Sequence, residues 1–118
     1  MKKGFYFIIS NQKDKDNNTF LGPFMQEGSY EYHGRLFIHR PIDNKYDKNR
    51  WKVSHVESGA GIVSKVNLNT ARYIVKSLQG FRLWELKTWD QLNKAITLHH
   101  LGYQEEVRKI EQIRQLRA

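Results

Sequence analysis

The apolar and polar positions of the chain change period once, near residue 67. Lys3 to Ser10 is aromatic and β-branched on both faces, which predicts a strand placed centrally in a sheet. Asn11 to Thr19 has no apolar anchor and reads as a polar loop. Phe20 to Met25 is a short apolar piece broken at Gly22-Pro23. Tyr30 to Ile42 reads as a hairpin that turns at His33-Gly34 and ends at Pro41, since proline cannot donate to a ladder. A second polar loop spans Asp43 to Arg50. Trp51 to Glu57 alternates, with Trp51, Val53 and His55 on one face. Ser58 to Gly61 supplies a turn and Ile62 to Val66 the return strand.

Beyond that hairpin the period is helical. Ala71, Ile74, Val75 and Leu78 fall at i, i+3, i+4 and i+7, with Asn67 or Asn69 as N-cap and Gly80 at the C-terminal end. Thr88 and Gln91 have capping-box spacing for a second helix that carries Leu92, Ile96 and His99 or His100 and stops at Gly102. Val107, Ile110, Ile113 and Leu116 continue a helical face. Strands first and helices last predict an α+β domain over residues 1–118. Its antiparallel sheet of four to five strands is packed by two to three helices in the C-terminal third.

Composition narrows the class. Among 118 residues there are 20 Lys and Arg against 12 Asp and Glu, a net charge of +8, and no cysteine. Disulfides, thiol nucleophiles and thiolate metal sites are excluded. The longest apolar run, Phe5 to Ile9, is far short of the ~20 residues of a membrane span. It is also too short for a secretory signal, so a soluble, cytoplasmic protein without membrane contact is expected. Fifteen aromatic residues argue for a packed core with some rings left outside. The surplus charge is spread as +3 over residues 1–50, +3 over 51–90 and +2 over 91–118. Any polyanion-binding patch must therefore be assembled by folding.

Candidate chemistry is sparse. The five histidines lack zinc-site spacing, no cofactor motif is present, and Ser58-Gly59-Ala60-Gly61 precedes a strand rather than the helix of a phosphate-binding loop. A metal-independent ribonuclease would need an acid, a base and a cation. On one uninterrupted strand His33, Arg35 and His39 share a face. Aromatic–basic interleaving is the stronger signal: bases stack on rings while cations follow the phosphate backbone. It selects Arg35, Arg40, Arg50, Trp51, Lys52, Arg82 and Lys87 as partner-binding residues. A structural or oligomerisation module using the aromatic surplus is the third reading.

Two resemblances bear on these readings. Gly4 to Asn11 resembles the first motif of GIY-YIG nucleases, with Phe20-Leu21-Gly22 in the place of the second. Phe20 lacks the tyrosine hydroxyl, the linker is longer, and Pro23 stands where that family begins its arginine-bearing helix. Trp51 to Gly59 followed by a helix resembles small accessory proteins of phages and mobile elements, a group that includes anti-CRISPR and other anti-defence proteins. That resemblance implies a non-catalytic inhibitor acting in a bacterial cytoplasm, with a nucleic acid, a nucleoprotein complex or a host-defence protein as partner. It assigns no residue.

Overall fold

A computed structural model describes residues 1–13, 15–40 and 50–116. The strands are β1 (Lys2–Lys13), β2 (Thr19–His33), β3 (Leu36–His39), β4 (Trp51–His55) and β5 (Gly61–Val66). The helices are α1 (Leu68–Ser77), α2 (Trp89–Thr97) and α3 (Gln104–Leu116), with a 3-10 turn at Arg82–Glu85 between α1 and α2. The strands form one antiparallel meander in the order β1-β2-β3-β4-β5. The expected α+β architecture is the observed one.

The hairpin ends are set by turn chemistry. His33 pairs with Leu36, leaving Gly34 and Arg35 as a two-residue loop. Gly34 has φ +64°, the left-handed geometry that such loops require at their first position. Val53 opposes Val63 and Trp51 opposes Val66, so β5 carries an extra residue there, and Lys65 sits in the left-handed region at φ +60°.

Each face of the sheet has its own core. Leu36, Ile38, Trp51 and Val53 point toward the helices and pack with Ile74, Leu78, Leu83, Trp84, Leu92 and Ile110, all buried. Asn67 caps α1 by accepting the Thr70 N–H, and Thr88 caps α2 by accepting the Gln91 N–H. On the other face, Tyr6, Ile8 and Phe37 form a smaller cluster flanked by Tyr30 and Val56. Gly4 and Gly28 face each other across β1 and β2, with the Tyr30 ring over the first and the Tyr6 ring over the second. Tyrosines thus fill the space that two missing side chains leave.

The first half departs from the sequence reading in three ways. The Lys3–Ser10 strand is at the edge, not the centre, because its second apolar face is left in solvent: Phe5 is 63% exposed and Phe7 38%. The polar stretch after it is strand at both its ends, since β1 continues to Lys13 and β2 starts at Thr19, with a turn at residues 15–16. Gly22-Pro23 does not interrupt β2. Pro23 opposes Ile9, whose N–H turns outward to the Gly59 carbonyl at 2.9 Å, so no ladder bond is lost at that pair. The expected polar loop over 43–50 lies outside the described residues except for Arg50.

Candidate partner-binding end of β3 and β4

Opposed residues of an antiparallel pair share a face. Tyr30, His39 and Lys52 are successive partners across β2, β3 and β4, so His39 and Lys52 lie on the Tyr6 face. His39 is fully buried there between the Tyr6 and Phe37 rings, each centroid 4.8 Å away. Its Nδ1 is 2.7 Å from the Arg40 carbonyl, which can only accept, so Nδ1 carries the proton. Nε2, 2.8 Å from Ser54 Oγ, then accepts from the hydroxyl. Burial, reinforced by the Lys52 charge, pushes His39 down to about 4 against a bond to Arg40 that favours the charged form. The ring is neutral at pH 7.

Three donors converge on the Arg40 carbonyl: His39 Nδ1, Tyr6 Oη at 3.0 Å and Gln26 Nε2 at 3.4 Å. They fix the backbone at the end of β3. From that anchor the Arg40 guanidinium lies over the Trp51 ring, 4.1 Å from its centroid, while Trp51 itself is buried in the helical core. The Lys52 stem passes Gly61, where a Cβ would sit 2.5 Å from Lys52 Cε. Burial lowers the affinity of the Lys52 ammonium for its proton. Among the described residues no carboxylate lies within ion-pair reach of it. Arg50 immediately precedes β4. Arg40, Arg50, Trp51 and Lys52 therefore collect at one end of β3 and β4, Trp51 with the Arg40 guanidinium toward the helical face and Lys52 on the Tyr6 face.

The other selected residues lie elsewhere. Arg35, in the β2–β3 turn, donates from Nη1 to the Trp84 carbonyl at 3.0 Å. His55 Nε2 donates to that same oxygen at 2.8 Å, while its Nδ1 accepts from Ser58 Oγ at 2.8 Å. Burial lowers the His55 pKa too. Arg35, His55, Glu57 and Trp84 border a half-open cleft of about 160 Å³. Arg82 donates to the Gly102 carbonyl and lies 5.4 Å from the Tyr103 ring centroid. The Arg82 and Leu83 amides are both taken by the Glu106 carboxylate. Lys87 is exposed just before the Thr88 cap.

The His33–Arg35–His39 constellation is not assembled. The turn at Gly34-Arg35 breaks the strand on which the three would share a face. His33 opposes Leu36 and so lies on the helical face, whereas His39 lies on the Tyr6 face. His33 is held by Glu31 at 2.5 Å, and Arg72 of α1 grips the same carboxylate with two bonds. That pair of bonds, chiefly, holds Glu31 down to about 2. Among the described residues no group of three or more His, Asp or Glu is placed to hold a metal ion, and no helix is long and apolar enough to cross a membrane.

Sequence reasoning missed Tyr6 and Gln26 as positioning residues. They lie 34 and 14 residues from Arg40, and nothing local in the chain marks them. Comparison of the chain with protein-family models, with curated proteins and with solved structures finds no match.

Proposed function

We propose that this protein is a non-catalytic binding protein that engages the phosphate backbone of a nucleic acid, free or within a nucleoprotein complex, through Arg40, Arg50 and Lys52. The observation that carries this reading is the Lys52 ammonium: it is half-buried and desolvated, with no carboxylate partner among the described residues. A partly buried cation without a counter-ion is a cost that a bound phosphate removes. Arg40 supplies a second cation whose position is fixed by the clamp on its own carbonyl. The net charge of +8 adds long-range attraction to a polyanion. Arg35, Arg82 and Lys87 lie apart from that end, Arg35 on the Trp84 carbonyl and Arg82 within the 3-10 turn, and would extend the contact along a longer strand. Inhibition of an RNA-loaded host-defence effector by occlusion is the finer form of the same proposal.

Fluorescence anisotropy with labelled single-stranded RNA and DNA tests it. Binding is expected to weaken steeply between about 50 and about 200 mM salt, because each neutralised phosphate releases counterions. Lys52→Ala should lower affinity for all sequences alike and reduce the salt slope by about one. Affinity independent of salt, or unchanged in Lys52→Ala and Arg40→Ala, defeats the proposal. Capture of partners with and without nuclease treatment separates naked nucleic acid from a nucleoprotein.

A further inference from the structure

Among the described residues the outer edge of β1 has no strand partner over its first half. Ile9 sends its N–H outward to Gly59 rather than to β2. By antiparallel alternation Lys3, Phe5 and Phe7 also turn their N–H and C=O groups outward. Among the described residues no hydrogen bond reaches those groups. The side chains of these three residues share the face opposite Tyr6. There Phe5 is 63% exposed, Phe7 38% and Met25, directly opposite Phe7, 59%. A long edge with unpaired amides and adjoining exposed rings is a template for another strand.

We propose that a second copy of this chain occupies this edge, β1 pairing antiparallel with β1 about a twofold axis at Phe5. The residues are self-complementary in that register. Phe5 meets its own symmetry mate, and Lys3 of each chain meets Phe7 of the other. All six outward-facing residues then exchange main-chain bonds, and the pairing stops at Ile9, where Gly59 already occupies the edge. The lysines at positions 2 and 3 fall at opposite ends of the ribbon, each beside an apolar residue, whereas a parallel pairing would set lysine against lysine. Glu27 stands directly opposite Phe5 on β2 and offsets Lys3 on the same face, so the patch lacks the surplus positive charge that a phosphate chain would seek. The exposed parts of Phe5, Phe7 and Met25 with the paired backbone amount to roughly 300–400 Å² per chain, taking about 150–250 Å² for a whole aromatic side chain. That is about half of the ~800 Å² per partner typical of a stable complex, so the dimer is reversible and weak.

Sedimentation equilibrium of the full chain between about 10 and about 500 µM spans the range in which so small an interface associates. The mean mass should rise from 14.1 kDa toward twice that value. Amide exchange on the same samples should slow with concentration at Lys3, Phe5 and Phe7, and not at Gly4 or Tyr6, which already face β2. Phe5→Lys removes the central contact, and Lys3→Pro removes one outward N–H without touching the internal ladder; both should stay monomeric with unchanged circular dichroism. A wild-type mass fixed at 14.1 kDa over the whole range overturns the proposal. So does a dimer whose three edge amides exchange at a concentration-independent rate, or protection of those amides by an oligonucleotide instead of by a second copy.

Discussion

At the scale of the residue, His39 is defined by what surrounds it. It has a carbonyl on one ring nitrogen, a hydroxyl on the other and an aromatic ring on either side. The folded protein therefore resists protonating it, down to about pH 4, while the unfolded chain takes up the proton near 6.5. Between those values the unfolded state binds more protons, so stability rises with pH across the window. The contribution is fully present above about pH 6.5 and is lost as pH falls toward 4, to a total of about 3 kcal/mol. His55, also depressed by burial, acts in the same direction. Urea unfolding at several pH values between 4 and 7 should show this slope in the wild type and a shallower one in His39→Gln. Equal slopes in the two proteins would mean that His39 does not titrate as its surroundings dictate.

At the scale of the element, Gly59 ties the outer edge of β1 to the turn between β4 and β5. Its carbonyl accepts the Ile9 N–H, its φ is +73°, and a Cβ there would lie 2.9 Å from the Ile9 nitrogen and 3.0 Å from the Ile8 carbonyl carbon. Both obstacles are backbone atoms and cannot swing aside. Gly80 has a similar φ of +81° but open space around it. Gly80→Ala should therefore cost only the conformational strain, about 1 kcal/mol, and Gly59→Ala distinctly more, about 3 kcal/mol. Denaturant unfolding of the two variants measures the difference, and in Gly59→Ala the Ile9 amide should also exchange faster. Equal destabilisation would show that the close approach at Gly59 is without consequence. This contact is of the kind that the sequence does not reveal. Local signals did locate what local chemistry controls: the Asn67 and Thr88 caps, the Ala71–Leu78 stripe, and the Trp51/Val53/His55 face. The position of β1 in the sheet was not legible, because rings on both faces fit a central strand as well as an edge strand with an uncovered side. The His33–His39 juxtaposition misled because it assumed an unbroken strand, and a two-residue turn carries the chain onto the neighbouring strand. Of the residues selected from the aromatic–basic pattern, Arg40, Arg50, Trp51 and Lys52 were adjacent in the chain or became so by pairing of β3 with β4. Arg35, Arg82 and Lys87 depend on where the helical layer docks.

At the scale of the whole molecule, the two proposed surfaces are physically separate. The basic surface lies at one end of β3 and β4, whereas Phe5 and Phe7 lie on the edge strand β1, with β2 between it and β3. They also differ in chemistry, one basic and half-buried, the other apolar with a backbone edge that no described strand pairs. Substitutions at sites without shared contacts are expected to act independently. Lys52→Ala should therefore weaken oligonucleotide binding about tenfold or less, the size of one lost charge-assisted contact, and leave the concentration dependence of the mass unchanged. Phe5→Lys should abolish association and leave the affinity of the monomer for a short oligonucleotide within about twofold, a slight gain being allowed by its added charge. On a longer oligonucleotide that two copies can occupy at once, wild-type binding should be cooperative and Phe5→Lys binding should not, because linked sites gain effective concentration from one another. Anisotropy titrations on a short and a long oligonucleotide, run with both variants, measure all of these quantities. If Lys52→Ala changes association, or Phe5→Lys weakens binding to the short oligonucleotide, the two surfaces are not independent and the division of roles between the β3–β4 end and the β1 edge fails.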